Sequence, residues 1–432
     1  MDPRLSSVKP VSYWLDTAPE GPDYSAVPLP DKVDVAIVGG GITGLSAAIH
    51  TRRKGASVAV LERDTMGFGA SGRNGGMATT GLTTGFLGAI KRYGFDAAAK
   101  WWFDFNDAID LIEKLVTDEK IDCDFSRAGK LNLAYKPKHY ESYAQLHDVL
   151  EKQLELDTML IPREKQRTEV GTDYYYGGLV DPRGASLHVG KFTRGLARVA
   201  DGLGAQLREN ANVTKIRKYE AGGFEVATSR GTVRATNVAV CTDGYTGSAT
   251  PWLRRRIIPV GSFIIGTEPL PQVLVDDVMP TRRMASDSKE LIYYFRISPD
   301  NRMLFGGRAR FALSGPESDL KSCGILLRGM HDIFPQLDNA RIDYAWGGEV
   351  GITMDRMPHA GQRDGIFYSI GYNGHGVQMA TYMGKQLAEM VDGHPEANPW
   401  RDLKFQFVPG HFGPPWFLPF GTAYYRLKDR LG

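Results

Sequence analysis

The chain has 432 residues, 42% of them hydrophobic and 24% charged, which suits a globular enzyme of one large or two smaller domains. Its 52 Lys and Arg nearly cancel its 50 Asp and Glu, so a net charge of +2 offers no general field for nucleic acid or an anionic membrane. Cys123, Cys241 and Cys323 lie far apart with no CxxC spacing, which argues against a disulfide framework or a zinc site and fits a reducing, cytoplasmic setting.

Residues 1–32 read as an irregular, Pro-rich lead-in with no apolar h-region or small-residue cleavage site, so no secretory signal is expected. Next comes "KVDVAIVGGGITGLSAAIHTRRKGASVAVLERD". A buried strand (Val33 to Val38), a helix (about Ile42 to Lys54) and a second strand (Ser57 to Glu62) make a βαβ unit with a right-handed crossover. Gly39, Gly41 and Gly44 supply a G-x-G-x-x-G turn: the first for the sharp turn, the second for approach of a pyrophosphate, the third for close helix–strand packing. Ile42 and Thr43 open the helix, whose N–H groups and positive end face the phosphates. Glu62, with Arg63 beside it, ends the second strand about twenty residues on, where a carboxylate binds a ribose and repels a 2′-phosphate. A glycine-rich turn that binds nothing is the plainer alternative; the strand and helix around it weigh against that.

The strip Gly67 to Met77, "GFGASGRNGGM", is long and bare. A nicotinamide dinucleotide needs nothing of the kind there, whereas FAD extends through a ribityl chain to a flat three-ring system. Gly69, Ala70, Ser71, Gly75, Gly76 and Met77 let backbone amides come close to such a ligand. Ser71 suits a phosphate oxygen, Arg73 its charge, and Asn74 the polar edge of a flavin. A surface loop is the competing reading.

Residues from about 88 to 170 read as amphipathic helix. "LHVGKFTRGLARVADGLGAQLREN" is a helix then a strand, followed by a meander ending in "NVAVCTDGY". From about 251 to 340 the pattern alternates and is β-rich. Then a strand (Ile366 to Ile370) runs into "GYNGHGV" and a helix. Tyr372, Asn373, Gly374, His375, Gly376 and Val377 thus form a second Gly-rich helix N-terminus, whose dipole stabilises the negative charge of a reduced flavin. No repeat occurs, and no window reaches the roughly 18 apolar residues of a spanning helix. The predicted class is α/β (α+β overall). A Rossmann-type nucleotide domain is built from residues 1–88, 171–250 and 341–432, interleaved with a substrate domain from 89–170 and 251–340.

Together, "VAIVGGGITGLSAAIHTRRKGASVAVLE", "GFGASGRNGGM", "VAVCTDGYT", "RMPHAGQ" and "GYNGHGV" resemble the D-amino-acid-oxidase-type FAD-dependent oxidoreductases, nearest to their γ-glutamylputrescine oxidase branch. The resemblance covers nearly the whole chain, including "SYW" near the start. It implies a substrate domain whose antiparallel sheet roofs the isoalloxazine, adenine contacts near Val213, and approach of Thr242, Gly244 and Gly348 to the cofactor. Some relatives attach flavin covalently through Cys or His; with Arg73 and Asn74 in the strip and no Cys near "WGGEVGITMDRM", non-covalent FAD is expected.

The reaction implied is oxidation of an amine C–N bond, with oxygen or another electron acceptor as second substrate. The amine is γ-glutamylated or amino-acid-like. No triad or metal-ligand spacing is present. His375 either acts beside the flavin or only shapes its turn. In "LIYYFRIS" the family places a strand over the flavin; Tyr294 and Arg296 share a face, and Arg296 is either a partner for a substrate carboxylate or a surface residue. Arg308 in "GGRARF" is a weaker candidate of the same kind, and no lysine that promotes reaction with oxygen can be placed there. The aromatic C-terminal stretch is expected to pack back over the FAD domain. Rival functions are a dehydrogenase handing electrons to a non-oxygen acceptor and a flavin-bearing subunit active only with a partner.

Overall fold

Val35 to Val38 are apolar without a break, and the strand they form, β1 (Lys32–Val38), is buried on both faces there. It turns into α1 (Ile42–Arg53) and returns as β2 (Val58–Leu61), also fully buried. The computed structural model describes the chain except residues 1–4, 6–7, 221, 308–311, 413–414, 422–423, 425–428 and 430–432. β1 pairs in parallel with β2 on one side and with Gly231–Val240 on the other. Gly231–Val240 pairs in parallel with Ile366–Ile370, and Gln206–Arg208 extends the far edge beside β2. The predicted βαβ unit and the late strand and helix are therefore in place. The late helix, α2 (Gly376–Val391), packs on α1 at Gly384, where a Cβ would stand 2.6 Å from Thr43 O. That close approach brings two helix N-termini to the same end of the sheet.

A second eight-stranded sheet runs in the order Ile342–Ile352, Ile258–Thr267, Met303–Gly307, Tyr293–Ile297, Met284–Asp287, Lys130–Leu133, Gly178–Asp181, Met159–Ile161. Three of its strands matter below: β3 (Lys130–Leu133), β4 (Met284–Asp287) and β5 (Tyr293–Ile297). Alternation divides their side chains. Leu131, Leu133, Ala285 and Phe295 enter a core under the helix Pro316–Ile333, while Lys130, Ser286 and Tyr294 face the first sheet.

Several elements differ from expectation. β3 and Met159–Ile161 lie within the stretch read as helical, and the helix Pro316–Ile333 lies within the β-rich stretch. Strands of three or four residues carry too little pattern to register beside long helices. The helix had its own signals, Pro at its first position and Glu317 and Asp319 in the first turn, which the alternation around it masked. Gly178–Asp181 and Ile342–Ile352 belong to the second sheet, although they fall beyond the 171 and 341 boundaries drawn for the nucleotide-binding pieces. No helix among the described residues is long and apolar enough to cross a membrane.

Candidate active site

A cavity of about 790 Å³ lies at the carboxyl ends of β1 and Gly231–Val240, bounded by the second sheet. This is where open α/β sheets bind ligands. Gly39 takes φ +106°, and a Cβ there would stand 2.9 Å from Cys241 O. Gly41, Ile42 and Thr43 line the cavity; Gly44 does not, because a Cβ on it would fall inside the van der Waals shell of Gly39 O. Gly44 is thus the packing glycine of the turn. The Glu62 carboxylate accepts the Gly40 N–H at 2.6 Å and the Asp64 N–H at 2.9 Å, and burial pushes its pKa up. Each oxygen keeps a second lone pair for a ribose hydroxyl. Arg63 and Val213 line the same end. A glycine turn at the α1 N-terminus and a two-oxygen acceptor at the end of β2, both on the cavity wall, make a site that fits the adenosine–pyrophosphate half of FAD.

The strip supplies the rest of the length. Gly69, Ala70, Ser71, Arg73, Asn74, Gly75 and Met77 all line the cavity. Glycine here serves close approach: a Cβ on Gly69 would stand 3.2 Å from the Tyr245 ring, and one on Gly75 3.1 Å from the Tyr294 ring. Its polar side chains hold the strip's own shape. Ser71 Oγ accepts the Ile42 N–H at 2.9 Å, tying the strip to α1. Asn74 Nδ2 donates to Ala70 O and Ser71 O, and Asn74 Oδ1 accepts the Gly76 N–H. Arg73 donates from Nε to Phe68 O at 2.8 Å and from Nη1 to Gly347 O at 3.2 Å, which fixes its guanidinium on the cavity wall. From behind, Ser12 Oγ donates to Gly72 O and Trp14 Nε1 to Asn74 O, each at 2.6 Å. The lead-in therefore helps build the site. Its only visible sign was the aromatic pair in "SYW".

Arg296 requires a correction. Period two does put it on the face of Tyr294, but the cavity ends before reaching it. Arg296 is 3% exposed and lies under the strip, where its Nη1 donates to Gly76 O at 2.6 Å and Leu187 O at 3.1 Å. Burial pushes its pKa down to about 10, and its guanidinium rests over the Trp14 ring. It is an internal brace, neither a carboxylate partner nor a surface residue. Gly76 is likewise behind the lining: at φ +68°, a Cβ on it would stand 2.5 Å from Leu187 O and 2.8 Å from Arg296 Nη1. Tyr294 does line the cavity, with its hydroxyl 2.9 Å from Ser262 Oγ. Arg308 lies outside the described residues.

The late loop forms a further wall of the cavity beside α1. Tyr372, Asn373, Gly374, His375, Gly376 and Val377 line the cavity, as does Gly348. The Tyr372 hydroxyl lies 2.9 Å from both Thr43 Oγ1 and Ser369 Oγ, joining this loop to α1. His375 Nδ1 lies 3.0 Å from Thr83 Oγ1, and its ring meets Phe105 edge-on. Thr242 lines the cavity, but Gly244 is packed against Glu349 O and Gly351 N, each 3.0 Å from where its Cβ would be. Between them Asp243, missed from sequence, accepts the Gly371 N–H at 2.6 Å and the Gly351 N–H at 3.3 Å. Burial raises its pKa. The Tyr245 hydroxyl accepts the Glu349 N–H. "CTDGY" contained all of this, yet only a left-handed Asp243 (φ 40°) facing another loop reveals it. Of the C-terminal stretch, Phe417, Leu418 and Gly421 line the cavity, while Phe412, Trp416, Phe420 and Tyr424 are exposed.

This architecture recurs in solved structures. Glycine oxidase from Geobacillus kaustophilus superposes with a TM-score of 0.70 at 18% identity, covering 89% of this chain and 99% of that one. L-proline dehydrogenase from P. horikoshii gives 0.70 at 20% identity, over 87% and 98%. In sequence, the γ-glutamylputrescine oxidoreductase of Escherichia coli (strain K12) is 33% identical over 427 residues, 98% of each chain. The probable oxidoreductase OrdL of Haemophilus influenzae is 33% identical over 430 residues, 97% of each. Residues 34–390 match the FAD dependent oxidoreductase (DAO) family. With a glycine-lined cavity at the end of the first sheet and a family match over most of its length, the chain belongs to the DAO family of FAD-dependent oxidoreductases.

Proposed function

We propose that the protein oxidises the C–N bond of an amine, of the γ-glutamylated or amino-acid-like class, to an imine that water hydrolyses to an aldehyde or keto acid. The observation that carries this reading is one cavity of about 790 Å³ whose wall joins the α1 N-terminus, the glycine strip and the late loop to Tyr294 of the second sheet. Full-length identity of 33% to a γ-glutamylputrescine oxidoreductase supports the substrate class.

When bound, the flavin supplies the acceptor for a hydride from the carbon next to nitrogen. The chain's residues do the positioning. Tyr294, held by Ser262, and the Gly75 backbone under its ring confine the space in which an amine lies. An apolar surround disfavours an ammonium and so favours the neutral amine, whose lone pair assists hydride departure. The N-terminus of α2 provides positive potential at the late loop, with His375 oriented there through Thr83. On this reading the first sheet with its helices is the FAD-binding domain and the second sheet the substrate domain. FAD is held without a covalent link: Cys241, the cysteine among the described lining residues, has its thiol pushed up to about 12 by burial. Free, widely separated cysteines support a cytoplasmic setting.

The test is the visible spectrum of the purified protein without oxygen, before and after adding γ-glutamylputrescine. Bleaching of a flavin band is expected. A band that persists removes this substrate, and no band even after adding FAD removes the cofactor. Readmitting air then separates rapid reoxidation by oxygen from dependence on another acceptor.

A further inference from the structure

Of the cations lining the cavity, Arg63 pairs with Asp64, Arg356 with Glu290, Arg73 donates to backbone carbonyls and Lys289 lies over the Tyr135 and Tyr293 rings, which leaves Lys130. Lys130 opens β3 on the face shared with Ser286 and Tyr294, while its neighbour Leu131 turns into the opposite core. Its ammonium makes no ion pair and no hydrogen bond among the described residues. The carboxylate beside it in the sheet, Asp181 on the adjacent strand, is taken by Arg183 through two bonds of 2.9 Å. Burial pushes the Lys130 pKa down to about 8, a shift that the Asp181 charge opposes but does not cancel. An ammonium enclosed without a partner is unfavourable, and a substrate anion that reaches it restores the missing interaction.

We propose that Lys130 binds a carboxylate carried by the substrate at a distance from its reacting amine. This rests on the amine-oxidation reading above. Lys130 stands opposite Met284 and Tyr294 opposite Ser286, so the two are separated by two strand spacings and two residues. That places their Cα atoms about 12 Å apart. Side chains stand roughly perpendicular to a sheet, so a similar spread separates the side chains of Lys130 and Tyr294, wider than the single carbon between amine and carboxylate in an α-amino acid. An amine whose carboxylate lies several bonds from the reacting nitrogen, such as a γ-glutamylated diamine with its α-carboxylate at the far end, spans the gap. A free diamine has no carboxylate to meet Lys130.

The experiment compares wild type with Lys130→Met, which keeps the length of the side chain and removes its charge, using FAD-loaded protein. For γ-glutamylputrescine kcat/KM falls at least about 30-fold, and for N-acetylputrescine, which lacks the carboxylate, it changes less than about 3-fold. Lys130→Arg retains most of the preference. Independently of turnover, calorimetric titration with glutarate, a dicarboxylate with no amine, gives binding in wild type that weakens at least about 30-fold in Lys130→Met. The Lys130→Met midpoint is no lower than wild type, because an unpartnered buried ammonium is being removed; this separates lost binding from lost folding. Equal losses for both amines, glutarate binding unchanged by the substitution, or no glutarate binding to wild type overturns the assignment. If neither amine bleaches the wild-type flavin but glutarate binding still depends on Lys130, the anion site stands and the amine-oxidation reading falls.

Discussion

Gly76→Ala tests whether the strip is as tightly clamped as its contacts indicate. Gly76 sits at φ +68°, where an L-residue costs about 1–2 kcal/mol. Its new Cβ would stand 2.5 Å from Leu187 O, 2.8 Å from Arg296 Nη1 and 2.9 Å from the Trp14 ring. The first is backbone, the second is fixed by its bonds to Gly76 O and Leu187 O, and the third is fully buried. None can swing aside, so overpacking adds about 1–3 kcal/mol. The total of about 2–5 kcal/mol, against an unfolding entropy near 0.9 kcal/mol per degree for a chain of this size, lowers the apoprotein midpoint by about 2–5 °C. The strip is also displaced toward the cavity, so flavin is retained more weakly. Calorimetry of apoprotein and titration with FAD read the two effects separately. A Gly76→Ala protein with wild-type midpoint and wild-type FAD affinity would refute the clamp.

Other perturbations separate bracing from binding. Arg296→Met removes the donors to Gly76 O and Leu187 O; FAD dissociates faster, while KM for the amine changes less than about 2-fold in the fraction that keeps flavin. A KM raised tenfold with unchanged FAD release would return Arg296 to the substrate site. Asp243→Ala leaves the Gly371 and Gly351 N–H groups without their acceptor and costs about 2–4 kcal/mol, with weaker FAD binding at the late loop; unchanged urea midpoints would count against it. His50 and His188 are held neutral by burial, each with its pKa pushed down to about 4 from an ordinary 6.5. The unfolded chain takes up both protons between pH 6.5 and 4 and the folded chain does not, so their contribution is complete above 6.5 and declines through that window as pH falls. His50→Gln flattens this decline in urea midpoints measured from pH 7 to 5; parallel slopes for mutant and wild type would contradict it.

The sequence by itself determined the nucleotide half. An apolar run, three glycines at fixed spacing and an acid at the end of the next strand are local requirements, and each sits where its spacing placed it: β1, the turn, α1 and Glu62. The same holds for the late strand and "GYNGHGV", because a strand, a glycine turn and a helix start are decided within a dozen residues. What Arg73, Asn74, Asp243 and Arg296 do was decided only by tertiary structure. Side-chain alternation says which face Arg296 occupies, but how far the cavity extends along that face depends on Gly76, Leu187 and Trp14, residues distant in the chain. Lys130 shows the same division. A lysine in "AGKLNLAY" is unremarkable until the sheet places it inside a cavity and Arg183 takes the hydrogen-bonding oxygens of the carboxylate beside it, since a charge acquires meaning from its partners as much as from its position on a strand.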